Sequence, residues 1–243
     1  QETNTIKLFA DCGYYNQVAT TPRQFPRMLQ TAIQAALHKK GVAVVGLPGD
    51  VTKMDAEEIT TAMQTFNPSA QIRPADADLQ QLADLIGQHK KITMFCGIGA
   101  KDAHDEVVAL SQKIHAAVGY SFRGKMSIQY DNPNEVGMTG LLGLPSAFHS
   151  MHECDLLILL GTDFPYTPFM PTECLIVQVD IKPENIGRRA KVTMGLQGSV
   201  KDTITALLPL LKQKTDDSGL KEQLEVYAEV KKNMQIYVND KGT

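Results

Sequence analysis

Five consecutive aliphatic residues, 156–160 (LLILL), stand between Cys154-Asp155 and the turn segment Gly161-Thr162-Asp163-Phe164-Pro165-Tyr166. An unbroken aliphatic run of this length, closed by turn residues, reads as a strand covered on both faces. Such strands belong to parallel sheets with helices above and below. Their carboxyl ends are where open α/β sheets bind ligands. Before the run, a glycine-rich segment (Gly137, Gly140, Gly143) feeds an apolar helical pattern that ends near Cys154. Residues 137–166 are therefore read as the holder of a nucleotide cofactor.

The same alternation extends in both directions. Residues 92–96 (ITMFC) read as a strand, followed by the tight turn Gly97-Ile98-Gly99-Ala100 and a helix over 102–116. A helix marked by Leu79, Leu82, Ala83, Leu85 and Ile86 precedes it. Residues 118–121, 175–180 (LIVQVD) and 191–196 read as further strands. Ser199 caps a predicted helix, and an amphipathic helix rich in Glu and Lys is expected over 220–239. Strand and helix units alternating at these spacings predict an α/β fold, a Rossmann-like doubly wound parallel sheet.

The first 50 residues fit this scheme less well. Thr21-Pro22 predicts a helix start, with Phe25, Met28, Leu29, Ala32, Ile33, Ala36 and Leu37 on one apolar face and Lys39-Lys40-Gly41 as its stop. Residues 42–47 then read as a buried strand, for which the first 20 residues offer no neighbour. Residues 51–75, broken by Asn67-Pro68 and Arg73-Pro74, read as a linker.

Composition narrows the function. The 243 residues are 43% hydrophobic and 21% charged, with a formal net charge of −3 and no sustained basic stripe, which argues against a nucleic-acid partner. The apolar runs are too short to span a membrane. The 4 cysteines show no CxxC spacing and are read as reduced thiols of a cytoplasmic protein; the 6 histidines do not cluster near them, which argues against zinc. His149 and His152, three apart on a predicted helix, lack a third ligand and read as structural. The chain starts at Gln1 rather than Met, which is read as a processing boundary.

Several residues can carry nucleotide binding. Gly97-x-Gly99 between a strand and a helix is half of a dinucleotide fingerprint; the third glycine position holds Asp102, which would repel a phosphate. The turn is either a ligand turn or only a tight βα connection. Thr139-Gly140-Leu141-Leu142 sits at a predicted helix start, whose free amides can bind phosphate. Asp180 ends the strand after LLILL, where Rossmann-type folds bind a ribose hydroxyl, and the alternative is an Asx turn ahead of Pro183. Arg123 and Lys125 could neutralise phosphates or stand as solvated loop charges. No nucleophile elbow or other acid–base machinery is present.

At these residues the chain resembles the thiamine-diphosphate-dependent pyruvate oxidases, most closely the quinone-dependent bacterial type. The resemblance rests on GVAVVGLPGDV (41–51), FCGIGA (95–100), RGK (123–125), YDNPNEVGMTGLLG (130–143), LLGTDFPY (159–166) and QVDIKPENIG (178–187), and covers nearly the whole chain. It implies three domains in the parent: one for the pyrimidine of thiamine diphosphate, a central FAD domain, and one binding the diphosphate through Mg2+. Residues 1–50 would then end the first domain, 51–75 would be a linker, 76–215 the FAD domain and 216–243 a helical connection to the third. The strand at 42–47 would find its sheet in sequence outside this chain. The implied FAD contacts are Thr139, Gly140, Leu141, Leu142, Thr162, Asp163, Phe164, Pro165, Tyr166 and Asp180, with Gly97, Ile98, Gly99 and Arg123 in addition. Relatives often carry Gly-Asp where this chain has Gly198-Ser199.

The resemblance further implies oxidative decarboxylation of pyruvate, with electrons passing through FAD to quinone or oxygen. It implies a homotetramer whose partners are the other domains of the same enzyme, with peripheral membrane contact only through sequence outside this chain. The catalytic glutamate and the GDG…N metal motif of such enzymes are not found here, so the chain alone is expected to bind FAD without turning over pyruvate. Two alternatives stand beside this reading. One is a non-redox structural or ADP-binding central domain of a thiamine-dependent decarboxylase or synthase. The other is an NAD-binding domain of the same sheet class.

Overall fold

The computed structural model describes residues 3–56 and 63–239. They fall into two compact units, Gln1–Ala70 and Gln71–Thr243.

The smaller unit holds α1 (Thr5–Leu8), β1 (Gly13–Val18), α2 (Phe25–Lys39) and β2 (Val42–Gly46). β1 and β2 pair in parallel, with Asn16 opposite Val44 and Val18 opposite Gly46. The first 20 residues thus do supply a neighbour for the strand over 42–47. The sequence hides it because Gly13-Tyr14-Tyr15-Asn16-Gln17-Val18 mixes polar and aromatic residues on both faces. β2 is only half-buried, not the buried strand its composition suggests. Thr21-Pro22 opens a single 3-10 turn, and α2 itself starts at Phe25. The left-handed stop is Lys40 (φ 49°, ψ 49°), not Gly41.

The larger unit is built on six parallel strands in the order β5-β4-β3-β6-β7-β8. They are β3 (Ile92–Cys96), β4 (Ala117–Tyr120), β5 (Glu135–Met138), β6 (Leu156–Leu160), β7 (Leu175–Asp180) and β8 (Met194–Gln197). Its helices are α3 (Asp76–Gln88), α4 (His104–Ile114), α5 (Lys125–Ile128), α6 (Pro145–His152), α7 (Val200–Leu207) and α8 (Ser218–Asn239). This is the doubly wound α/β sheet expected from the sequence.

The LLILL run shows why the sheet is covered on both sides. Leu156, Ile158 and Leu160 pack into a core with Leu79, Leu82 and Ile86 of α3, Leu110 of α4 and Ile204 of α7. Leu157 and Leu159 point the other way, onto Met151 of α6 and Phe95 and Phe164. All five are at most 2% exposed. Side chains of a strand alternate between faces, so only an uninterrupted apolar run satisfies two cores at once.

α8 belongs to this packing too. Leu220 and Tyr227 join Ala117, Val136 and Ala147 in a third cluster. The Gln223 amide and the Thr93 hydroxyl, both buried, hydrogen-bond each other. Glu135 on β5 accepts from Tyr120 Oη at 2.7 Å and Tyr227 Oη at 3.1 Å. Burial first, then the Glu135 charge and hydrogen bond, push the Tyr227 phenol up to about 12. The ties therefore stay protonated through neutral pH. Among the described residues no helix is long and apolar enough to cross a membrane.

Candidate functional site

From β3 the chain winds outward to β4 and β5, then returns to β6 and continues to β7 and β8 on the other side. β3 and β6 are therefore adjacent strands whose connections leave in opposite directions, with Cys96 opposite Leu160. This is a topological switch point, and the crevice outside it is where doubly wound sheets hold ligands. A cavity of about 430 Å³ opens there, within the range of small-molecule sites.

The wall above β6 is the loop 162–166. Thr162 and Phe164 are buried, Phe164 packing edge-on to Phe95 and Tyr166, each with ring centroids 5.2 Å apart. Gln178, buried on β7, holds this loop from behind. Its amide donates to the carbonyl oxygens of Thr162 and Asn185, and its own oxygen accepts from the Gly187 amide at 2.9 Å. The facing wall is the loop after β5. Gly140 has φ 125°, a conformation open to glycine alone, and its carbonyl closes a turn with the Gly143 amide. Leu141 and Leu142 are 71% and 79% exposed at the cavity mouth.

This loop is not a helix start, as the sequence suggested. β5 occupies 135–138, a turn follows, and α6 begins only at Pro145. The amides of Gly140, Leu141 and Leu142 nonetheless donate to nothing among the described residues, so they remain available to a ligand.

Charge at the cavity is unevenly distributed. Asp163 lines it and is bound by Arg188 and by Arg189 Nε, the latter at 3.0 Å. Burial alone would raise the Asp163 carboxyl, but the Arg189 and Arg188 guanidiniums outweigh it and hold the pKa below the ordinary value. Arg123 lines the opposite side, exposed and without an ion pair or hydrogen bond among the described residues. Among the lining residues the Asp163 carboxylate is thus offset by arginines behind it, and Arg123 is the cation left facing the cavity.

Of the residues singled out from sequence, Ile98, Arg123, Thr139, Gly140, Leu141, Leu142, Thr162, Asp163, Phe164, Pro165 and Tyr166 line this one cavity. Gly97, Gly99 and Asp180 do not. The Gly97 and Gly99 amides already donate to the carbonyls of Leu160 and Gly161, each at 2.9 Å. A Cβ on Gly97 would lie 2.4 Å from the Gly161 oxygen, and one on Gly99 2.7 Å from the Gly161 Cα. These glycines let two strand-end turns touch, and their amides are already used by the backbone. Asp180 is buried, its carboxylate accepting from the Lys182 amide at 2.9 Å and from Asn185 at 3.3 Å. It forms the Asx turn that was its alternative reading.

Ser121, Phe122 and Met138 also line the cavity without having been anticipated. They sit at the ends of β4 and β5, and β5 lies at the glycine-rich entry to the predicted helix, where no strand was expected. His149 is exposed, while His152 stacks near Phe148 with Nε2 3.2 Å from the Phe169 carbonyl oxygen.

The model of the family described as thiamine pyrophosphate enzyme, central domain, matches residues 79–207. The chain belongs to this family. An uncharacterised 42.6 kDa protein of Pseudomonas amyloderamosa is 43% identical over 96% of this chain and 59% of its own length. The Bacillus subtilis protein YdaP, named for thiamine pyrophosphate, is 32% identical over 81% of this chain and 34% of its own. The pyruvate oxidase of Lactiplantibacillus plantarum is 24% identical over 88% of this chain and 36% of its own. Acetolactate synthases and sulfoacetaldehyde acetyltransferases match at similar identity. The chain thus spans from about a third to somewhat over half of the relatives it matches.

Proposed function

We propose that this central domain binds FAD in the cavity at the β3–β6 switch point, as part of a thiamine-diphosphate-dependent pyruvate oxidase. The supporting observation is the make-up of the cavity: one apolar wall with an aromatic backing, and, among the described residues, one loop of unused amides and a guanidinium without an ion pair. Arg123 and the amides of Gly140, Leu141 and Leu142 would hold phosphate oxygens. Ile98, Leu142 and Phe164 would shield a flat ring from water. When bound, FAD supplies a two-electron acceptor for the decarboxylation of pyruvate, with Mg2+ and thiamine diphosphate held by sequence outside this chain. The protein's own residues bind and orient the group and exclude water; none of them here is placed to move a proton in the decarboxylation.

The test is thermal unfolding of the chain with FAD, FMN, ADP or no ligand. A ligand at about 100 times its Kd stabilises by about 2.7 kcal/mol. FAD is expected to raise the Tm more than ADP, and Arg123→Ala to reduce the rise. Stabilisation by ADP alone would instead support a non-redox nucleotide site of the kind considered for synthases and decarboxylases.

A further inference from the structure

At the end of the sheet opposite the cavity, two cysteines come together. Cys154 follows α6 and precedes β6, and Cys174 immediately precedes β7. β6 and β7 pair in parallel with Leu156 opposite Leu175, so both cysteines stand at the amino ends of neighbouring strands. Strands so paired run about 4.8 Å apart, compatible with disulfide Cα separations of about 4.4–6.8 Å. Both sulfurs converge on one acceptor, the Met151 carbonyl oxygen: Cys154 Sγ donates to it at 3.2 Å and Cys174 Sγ at 4.0 Å. Both thiols are free.

The two sulfurs differ in character. Cys154 is 6% exposed, inside the cluster of Phe95, Met151 and Leu157. Cys174 sits at the edge of that cluster, partly exposed. The Cys174 sulfur beside it, and then burial, push the Cys154 thiol up. The neighbouring Cys154 thiol lowers the Cys174 thiol despite opposing burial. Cys174 is therefore the more accessible of the two thiols and the more readily ionised, the pairing that makes a cysteine reactive. Cys96, wholly buried and pushed up to about 12, has neither property.

We infer that Cys154 and Cys174 are a peroxide-modification site, closing to an intramolecular disulfide with a hydroperoxide as oxidant. The Cys174 thiolate attacks the peroxide, forming an S–O bond and breaking the O–O bond. The leaving oxygen takes a proton and departs as water or alcohol. Cys154 sulfur then attacks the Cys174 sulfenic acid; the S–S bond forms, the S–O bond breaks, and the Cys154 proton leaves with that oxygen as water. Two thiols are oxidised and one peroxide is reduced. The cross-link spans residues 155–173, the segment that carries the cavity wall at 162–166. Oxidation therefore stiffens that wall, whatever the cavity holds.

The experiment treats the reduced full chain, in a Cys12→Ser background to suppress intermolecular pairing at that exposed thiol, with hydrogen peroxide. Remaining thiols are alkylated and the peptides mapped by mass spectrometry without reductant. The expected product joins the Cys154 and Cys174 peptides with loss of two hydrogens, while Cys96 is alkylated only after denaturation. The oxidised chain is expected to melt at a higher temperature than the reduced chain, and Cys174→Ser to abolish the increase. Cys174 recovered as sulfinic or sulfonic acid beside a free Cys154 thiol would overturn the inference, as would both thiols surviving peroxide that oxidises a small thiol completely. The mapping on the Cys12→Ser chain decides the matter even if Cys174→Ser does not fold.

Discussion

Gly99 and Gly87 show how one residue type can carry opposite consequences. A Cβ on Gly99 would meet the Gly161 Cα at 2.7 Å and its oxygen at 2.9 Å, backbone atoms that cannot swing aside. Gly99→Ala is expected to destabilise by about 1–3 kcal/mol. Gly87, in α3, would present its Cβ to open space. Gly87→Ala is expected to stabilise by up to about 0.5–1 kcal/mol by restricting the unfolded chain. Urea unfolding of both variants measures the two signs. Asp163 gives a pH-dependent effect. Its folded pKa is depressed by Arg189 and Arg188 against burial, so its contribution is present above the unfolded value of about 3.9 and is lost as pH falls through the folded pKa. Stability curves of the parent and Asp163→Asn should therefore differ at neutral pH and converge in acid. The difference will be small because the group is partly solvated.

At the level of elements, α8 is predicted to be a working part of the core for its first half only. Tyr227 is 5% exposed and bonded to Glu135, whereas Met234 is 44% exposed. Tyr227→Ala is expected to cost about 3–5 kcal/mol, and Met234→Ala to stay within about 0.5 kcal/mol, both read from denaturant midpoints. The sequence predicted α8 as an amphipathic helix but not its docking, because a Glu- and Lys-rich stripe reads as solvated wherever its few apolar residues land. β6 was fully legible: five aliphatic residues in a row fit a doubly covered strand and little else. β5 was not, since Glu135-Val136-Gly137-Met138 is too short and too mixed to show a period. Missing β5 turned the next loop into a helix start and left Met138 out of the site. β1 failed for the same reason, its tyrosines and amides offering no alternation.

For the whole molecule, the place of the cavity follows from topology rather than from any motif. Strand order fixes the switch point between β3 and β6, and loops after β3, β4, β5 and β6 meet there. The sequence revealed most of the cavity because strand ends can be read from turn residues. It did not separate Gly97, Gly99 and Asp180 from the cavity lining, because those positions look alike whether an amide or carboxylate faces a ligand or its own backbone. Only the partners of those groups separate the two cases. The cavity at this switch point is proposed to take FAD. The most direct test is an equilibrium titration of FAD with the chain, followed by flavin fluorescence. A saturable change at one flavin per chain, competed weakly by ADP and weakened in Arg123→Ala, is expected. A signal that stays proportional to free FAD at protein concentrations where the chain is folded would contradict it.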